Sequence, residues 1–315
     1  MMPLGWKSCV EPYLTESIRK MLSAVDPFLP VEELRIRAGQ PIQLCFAGGE
    51  RVIRREGGGA AATKADCSAI LQKICAQSIY AWETELKRGF ITLPGGCRVG
   101  LCGGMSSAGG GFIADDVTGF NFRIARAVPG AADTALRYLI AEGRLLASLI
   151  ISPPGCGKTT VLRDIARQAS LGVGGIMPCR VCVVDTRYEL AGCIGGESQL
   201  DLGPRTDVLS GVPKAEGMRM MITNMAPDVL ITDELSSATE AMAACEARSC
   251  GVTLIASAHA ENVQMLLARP AMRALFRERV FQRYIVLSRE HGKIDAAYDA
   301  EMEVIGGEER ICSAS

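Results

Sequence analysis

The chain has few aromatic residues, almost no net charge and no long hydrophobic run. Aromatic side chains make up 5% of its 315 residues, so the core has to be aliphatic. Lys and Arg total 34 against 35 Asp and Glu, which excludes a global cationic field for nucleic acid or anionic lipid. The best apolar run, Leu145–Ile151, has the length of a buried strand and not the roughly 20 residues of a membrane span. With no signal-peptide pattern at the N-terminus either, we expect an intracellular protein without a transmembrane span.

The composition that is present is typical of a folded protein with room for two domains. Apolar residues make up 48% and charged residues 22% of the chain. Thirteen cysteines are scattered singly along it, which favours reduced thiols over a disulfide framework. One Cys-x-x-Cys pair, Cys179 and Cys182, lacks two further ligands that would make a zinc site plausible.

Residues 1–128 have the pattern of a smaller α+β domain. Glycine clusters separate short strand-like runs, and two helices are predicted, over Tyr13–Val25 and Lys64–Ser78. A further strand is predicted over Phe120–Ala125, before the linker-like Val128–Gly130. The earlier strands are predicted at Glu33–Arg37, Pro41–Phe46, Phe90–Leu93 and Arg98–Leu101.

Residues 129–315 alternate helical stretches with fully apolar strands. This alternation is the pattern of an α/β domain whose parallel sheet is covered on both faces. A hairpin is predicted at the end of the domain, between Tyr284–Leu287 and Ile294–Tyr298, with His291 in its turn and no role for that residue. The other predicted strands are Leu149–Ile151, Val181–Val184, Val229–Ile231 and Thr253–Ala256.

A phosphate-binding loop follows the first strand of this domain. A strand, a Gly/Pro-rich loop and a helix N-terminus in that order direct backbone N–H groups at one point, which suits a polyphosphate. We expect Lys158 to reach the β and γ phosphates of ATP and Thr159 to direct its hydroxyl at Mg²⁺. The nucleotide-binding residues are predicted to be Ser152, Pro153, Pro154, Gly155, Cys156, Gly157, Lys158, Thr159 and Thr160.

Ser152 stands where such loops usually begin with glycine. If this position requires a positive φ, serine costs about 1–2 kcal/mol there and weakens nucleotide binding. Conformation at this residue therefore decides whether the loop is impaired.

Carboxylates and one histidine follow three other predicted strands. Asp233 is expected to hold the Mg²⁺ shell, and Glu234 to polarise the attacking water. The segment Asp185–Glu189 is expected at the same sheet edge, with Asp185 and Glu189 facing the γ-phosphate, or else forming a surface salt bridge. His259 either senses the γ-phosphate or hydrogen-bonds the catalytic carboxylates.

The motifs together resemble the sporulation stage III protein AA family, relatives of the type II and type IV secretion ATPases. The resemblance extends over about residues 30 to 300. It rests on Gly89–Gly96, Phe120–Arg126, Pro154–Thr160, Gly203–Leu209, Lys214–Met218 and Pro227–Leu235.

This resemblance implies a PAS-like α+β domain before a RecA-like P-loop NTPase domain, assembled as a homohexameric ring. It places Glu189 in an acidic box, Asp233 and Glu234 in a second acidic motif, and His259 in a histidine box. Arg123 and Arg126 are the candidates for neutralising nucleotide charge, unless they only pair with surface acids.

The implied function is a Mg²⁺-dependent ATPase that energises assembly of, or transport through, a channel between mother cell and forespore. Such a protein acts in the cytoplasm and docks on membrane proteins at the cytoplasmic face. Two alternatives stay open, an ATP-binding scaffold with negligible turnover and a RecA-like nucleic-acid motor. The near-neutral charge argues against the second of these, so no specific nucleic acid is expected as a partner.

Overall fold

The chain forms two compact units, Met1–Ala125 and Arg126–Ser315. A computed structural model describes residues 5–46, 49–55, 62–75, 89–105, 112–125, 128–290 and 293–307. The twelve cysteines within these ranges are all free thiols. Among the described helices, none combines the length and the apolar character needed to cross a membrane.

The N-terminal unit is an α+β fold with one antiparallel sheet, as its sequence predicts. The sheet order is β3-β2-β1-β6-β5-β4. Its strands are β1 (Val31–Arg37), β2 (Ile42–Phe46), β3 (Gly49–Ile53), β4 (Phe90–Leu93), β5 (Cys97–Met105) and β6 (Phe112–Arg123). Its helices are α1 (Trp6–Val10), a 3-10 turn (Glu11–Tyr13), α2 (Glu16–Leu22) and α3 (Lys64–Ile74).

The core of this unit lies between the helices and one face of the sheet. Leu34 and Ile36 of β1 and Phe120 and Phe122 of β6 alternate with polar residues along their strands, so they share a face. The helix α3 begins with a capping box in which Thr63 and Asp66 satisfy each other's backbone N–H groups. The predicted helix Tyr13–Val25 is shorter than expected, since α2 begins only at Glu16 after an extended residue at position 15.

Replacing Phe122 by alanine is expected to destabilise the N-terminal unit strongly. Phe122 is fully buried at the centre of the sheet, and Phe→Ala changes in cores cost about 3–5 kcal/mol in the free energy of unfolding. Urea unfolding followed by circular dichroism measures the loss. Phe28→Ala is the matched control, because Phe28 is 68% exposed and its removal should change stability by no more than about 0.5 kcal/mol. Equal effects of the two substitutions would contradict this assignment of the core.

The C-terminal unit is an α/β fold. Its strands are β7 (Ile140–Ala141), β8 (Arg144–Leu145), β9 (Ser148–Ser152), β10 (Val181–Asp185), β11 (Thr206–Ser210), β12 (Val229–Glu234), β13 (Thr253–His259), β14 (Arg283–Leu287), β15 (Ile294–Tyr298) and β16 (Val304–Gly306). Its helices are α4 (Asp133–Leu139), α5 (Lys158–Leu171), α6 (Lys214–Met225), α7 (Ala238–Ser249), α8 (Val263–Leu267) and α9 (Pro270–Arg277).

Eight strands of this unit form one sheet in the order β11-β10-β12-β13-β9-β14-β15-β16, and β7 and β8 form a separate hairpin. The pairs from β11 to β14 are parallel, and the predicted hairpin β14–β15 is antiparallel. Alternate strand residues face two apolar clusters, one under α4 and α5 and one under α6 to α9. The predicted parallel sheet with two covered faces is therefore confirmed.

Strand order decides which side chains meet at the carboxyl edge of this sheet. The strand β13 lies between β9 and β12, and His259 at its end is registered opposite Ser152 at the end of β9. His259 is thereby placed between the loop after β9 and the acidic end of β12.

Candidate functional site

The loop between β9 and α5 has the backbone of a phosphate cradle. Gly155 and Gly157 have φ angles of 80° and 84°, which favour glycine, and a Cβ built at Gly155 would have no atom within 4 Å. Gly157 caps α5 without a side chain, so none occupies the first N–H groups of this helix of 14 residues. Uncapped N–H groups at the positive end of a helix suit an anion.

The strain expected at Ser152 is absent. Ser152 is the last residue of β9 and lies in the regular parallel ladder, while the positive φ angles of the loop fall on Gly155 and Gly157. The condition for strain is therefore not met, and no weakening of nucleotide binding is expected on that ground. The Ser152 hydroxyl is instead buried, donates to the Pro153 carbonyl at 2.9 Å and lies 3.0 Å from Lys158 Nζ.

The substitution Ser152→Gly is expected to bring no gain in nucleotide affinity. It removes a hydroxyl that accepts from Lys158 and loosens a buried strand end, which together should lower stability by about 1–2 kcal/mol. Thermal unfolding and titration with a fluorescent ATP analogue measure the two effects. Ser152→Ala separates the loss of the hydroxyl from the added backbone freedom. Tighter binding by the glycine variant would show that serine does impair the loop.

Lys158, the first residue of α5, is folded back over the loop. Its Nζ atom donates to the carbonyl oxygens of Ser152 and Pro153, both at 2.8 Å, and lies 3.0 Å from His259 Nδ1. The side chain is 7% exposed, and this burial lowers its pKa, against the opposing effect of Cys156 and Glu234. The ammonium is thus held at the floor of the loop, where a phosphate would offer it oxygens in place of carbonyls.

His259 joins Lys158 to Glu234. Its Nδ1 atom faces the Lys158 ammonium, and its Nε2 atom lies 3.2 Å from Glu234 Oε2. When Nδ1 accepts one of the three N–H groups of the ammonium, Nε2–H is left to donate to the carboxylate. This geometry brings His259 to Glu234, as in the alternative in which His259 hydrogen-bonds the carboxylates, and the catalytic role of Glu234 stays a prediction.

Asp233 is paired with a residue that sequence reasoning left without a role. Its Oδ1 atom forms an ion pair with Lys214 at the start of α6, and Lys214 Nζ also donates to the Glu234 carbonyl. Burial raises the pKa of Asp233, while Lys214 opposes the rise. In the part of the chain that the structure describes, no hydrogen bond joins Asp233 to Thr159, its expected partner in holding Mg²⁺.

The acidic turn after β10 is built around Asp185. Its fully buried carboxylate accepts the backbone N–H groups of Glu189, Leu190 and Ala191 at 2.8–3.0 Å. These bonds fold the turn and hold Tyr188 at φ 58°, a strained value for a bulky residue. Asp185 is therefore directed into its own turn and not outward toward a γ-phosphate, which corrects the expectation for this residue.

Arg163 connects this acidic turn to the helix α5. Its guanidinium donates to the carbonyl oxygens of Leu190 and Glu189 at 2.8 Å and 2.7 Å. Burial lowers its pKa to about 10, opposed by Asp185 and Glu189. Arg163 thus fixes the backbone of Glu189 relative to the phosphate loop, a role that only the folded chain reveals.

A cavity of about 280 Å³ opens beside Glu234, at the ends of β10 and β12. Its lining includes Arg187, whose Nη1 atom lies 3.7 Å from Glu234 Oε2. Glu234 is thus reachable by water, and both His259 and Arg187 lie near its Oε2 atom. Thr186, Lys214, Ser236, Thr239 and Glu240 complete the polar lining.

Of the two arginines expected to contact nucleotide, Arg123 is a described residue of the N-terminal unit. Arg123 is the last residue of β6, and its Nε atom lies 3.8 Å from Glu33 Oε1. This pair corresponds to the alternative in which arginine meets a surface acid. Arg126 lies outside the described residues, as does His291.

Comparison with known proteins agrees with the motifs and the fold. The stage III sporulation protein AA of Bacillus subtilis is 40% identical over 297 residues, which cover 93% of this chain and 95% of that protein. Two solved structures share the fold. The ATPase DotB of Yersinia pseudotuberculosis has a TM-score of 0.55 at 13% identity, covering 87% of this chain and 76% of that one. DotB of Legionella pneumophila has a TM-score of 0.53 at 14% identity, covering 81% and 72%.

These structures confirm the predicted RecA-like P-loop fold. The sequence also matches the family described as sporulation stage III, protein AA, over residues 7–305. The family expected from the motifs is thereby confirmed, and the chain belongs to the sporulation stage III protein AA family.

Proposed function

We propose that the chain is a Mg²⁺-dependent ATPase whose reaction takes place at the loop between β9 and α5. The observation that carries the proposal is the continuous contact from Lys158 through His259 to Glu234. It links a phosphate-binding ammonium to a carboxylate that borders an open cavity. Hydrolysis of a phosphoanhydride needs these two elements, a cation on the phosphates and a base near the attacking water.

The contacts of Lys158, Glu234 and His259 suggest a different role for each residue. Lys158 exchanges the carbonyl oxygens of Ser152 and Pro153 for phosphate oxygens of ATP, since all of these are acceptors for the same ammonium. Glu234 accepts a proton from the attacking water at Oε1 or Oε2. His259 donates Nε2–H to Glu234 and so fixes the direction in which its carboxylate points.

The oxygen donors of Asp233, at the end of β12, and of Thr159, in the first turn of α5, fit a hard divalent cation. Mg²⁺ prefers carboxylate and hydroxyl oxygens, and Asp233 and Thr159 are the residues that would hold it, with ATP phosphates. When bound, Mg²⁺ neutralises phosphate charge as it develops. Glu189 is proposed to contribute negative charge at the same edge, with its backbone held by Arg163.

We further propose that the active form is a ring of identical subunits, in which Arg123 and Arg126 help to neutralise nucleotide charge. The support for this assembly is the resemblance of the motifs to the secretion ATPases, which implies a ring. Light scattering of the purified protein with and without Mg·ATP tests it. A mass of six subunits agrees with the proposal, and a monomer at every concentration opposes it.

In the cell, the proposed role is to energise assembly of, or transport through, a channel between mother cell and forespore. Docking on membrane proteins at the cytoplasmic face would bring the ATPase to that channel. A fluorescent fusion followed during sporulation tests the location. Signal at the membrane around the forespore is expected, and uniform signal throughout the mother cell would contradict it.

Phosphate release tests hydrolysis itself. We expect release from ATP that saturates with nucleotide and ceases when Mg²⁺ is chelated. Binding of ATP without measurable release would instead favour an ATP-binding scaffold.

A further inference from the structure

We propose that the Lys214 ammonium pairs with the Asp233 carboxylate in the nucleotide-free chain, so that this carboxylate binds a divalent cation only when nucleotide binds as well. The inference rests on the proposed function, because it takes Asp233 as a ligand of Mg²⁺. Lys214 acts through Asp233 and the backbone of Glu234, and it is thus a positioning residue.

The first support is the burial of Lys214. Its side chain is 7% exposed and that of its partner Asp233 is 9% exposed. Lysine is almost never this buried unless it is paired, and here the ammonium contacts both Asp233 Oδ1 and the Glu234 carbonyl. One buried cation thereby holds two consecutive residues at the end of β12.

The second support is the rigid placement of Lys214 on α6. A Cβ added at Gly217, one turn along, would lie 2.9 Å from Val184 Cγ1 and 2.8 Å from Val212 Cγ2. The first turn of α6 therefore packs directly on β10, and only glycine permits that approach. Because α6 cannot shift outward without losing this contact, Lys214 is directed at the end of β12 by the fold.

The third support is the distribution of charge around Asp233. Among the described lysines, the two buried ones contact different acids: Lys158 reaches Glu234 through His259, and Lys214 reaches Asp233 directly. Asp185 is a second negative charge near Asp233, and Arg187 a second positive one. A metal ion that approaches Oδ1 meets the Lys214 ammonium, and like charges at a few ångströms repel strongly in a partly buried site.

The nucleotide supplies what the free ion lacks. Its phosphates add negative charge and oxygen ligands at the loop after β9, which offset the repulsion from Lys214. The ammonium then leaves Oδ1. Without nucleotide, the ion pair of Lys214 and Asp233 has no net charge, and we expect it to bind a divalent cation only weakly.

Binding of Mn²⁺ to nucleotide-free protein, followed by electron paramagnetic resonance at mildly alkaline pH, tests this inference. Lys214→Gln keeps a donor toward Asp233 without the charge, and Lys214→Met keeps the length of the stem. Each is expected to bind Mn²⁺ at least about tenfold more tightly than wild type. Lys214→Arg keeps the cation and should bind as weakly as wild type. Adding Asp233→Asn to either neutral variant should abolish the gain.

Equal Mn²⁺ affinity in wild type and the folded neutral variants would overturn the inference. If both variants fail to fold, the displacement of Lys214 is tested instead in the wild type, by the rate at which an amine-reactive reagent labels Lys214. Labelling is expected to accelerate by about tenfold when Mg²⁺ and nucleotide are added together and by neither alone. An unchanged rate contradicts the displacement. If the wild type hydrolyses ATP but the variants gain no Mn²⁺ affinity, the inference about Lys214 fails and the proposed function stands. If the variants gain Mn²⁺ affinity but the wild type does not hydrolyse ATP, the proposed function fails and the inference stands.

Discussion

Replacing Lys158 by alanine is expected to lower the rate of ATP hydrolysis by about 10²–10³-fold and to weaken ATP binding as well. The ammonium lies at the floor of the loop after β9, where it contacts two carbonyl oxygens, the Ser152 hydroxyl and His259 Nδ1. Its loss also leaves His259 Nδ1 without its donor. Phosphate release and titration with a fluorescent ATP analogue measure the two losses.

The control for this substitution is Lys20→Ala, which removes an exposed lysine from α2 in the N-terminal unit. It should leave both rate and affinity unchanged. An alanine variant at position 158 that keeps a tenth or more of the wild-type rate would show that the reaction does not depend on this loop.

Replacing Glu234 by glutamine is expected to lower turnover by about 10²–10⁴-fold while ATP still binds. Glutamine has the same shape and can still accept from His259 Nε2–H, but it cannot take a proton from water. Turnover and affinity should therefore separate, unlike in the Lys158 variant. The same two assays distinguish loss of the base from loss of the site.

Glu261→Gln is the matched control, because Glu261 is an exposed carboxylate that pairs with Arg289 at 3.5 Å. It should hydrolyse ATP at the wild-type rate. If the Glu234 variant did so too, the proton acceptor would have to be another group at this edge, with Glu189 the first to examine.

Much of the fold follows from local sequence patterns. The strand β4 begins and ends where its pattern predicts, and α3 begins at the expected Lys64 behind its capping box. The strand β11 was missed, because Thr206–Ser210 is an edge strand with partly exposed residues and lacks a fully apolar run. Local patterns identify strands with buried residues well, including β4 at a sheet edge, and partly exposed strands such as β11 poorly, since burial is what makes a strand apolar.

The candidate site could be predicted only in part, because its contacts depend on strand order. The motifs identify Lys158, Glu234 and His259, but their meeting requires β13 to lie between β9 and β12. Lys214 lies in one of the stretches that carry the family resemblance, but that stretch assigns it no role. A lysine at a helix start is usually exposed, and only the close packing of α6 on β10 brings it to Asp233. Pro213 marks the start of α6, but it does not indicate where the Lys214 side chain points.

The most direct test of the account is steady-state phosphate release over a range of Mg·ATP and protein concentrations, with molecular mass determined by light scattering in the same samples. The wild type is measured beside Lys158→Ala and Glu234→Gln. For a ring-forming ATPase, we expect a wild-type rate that saturates with ATP and rises more than linearly with protein as subunits assemble, and we expect both variants to lose it. A wild-type rate no higher than that of the variants, in protein that still binds ATP, would contradict the account.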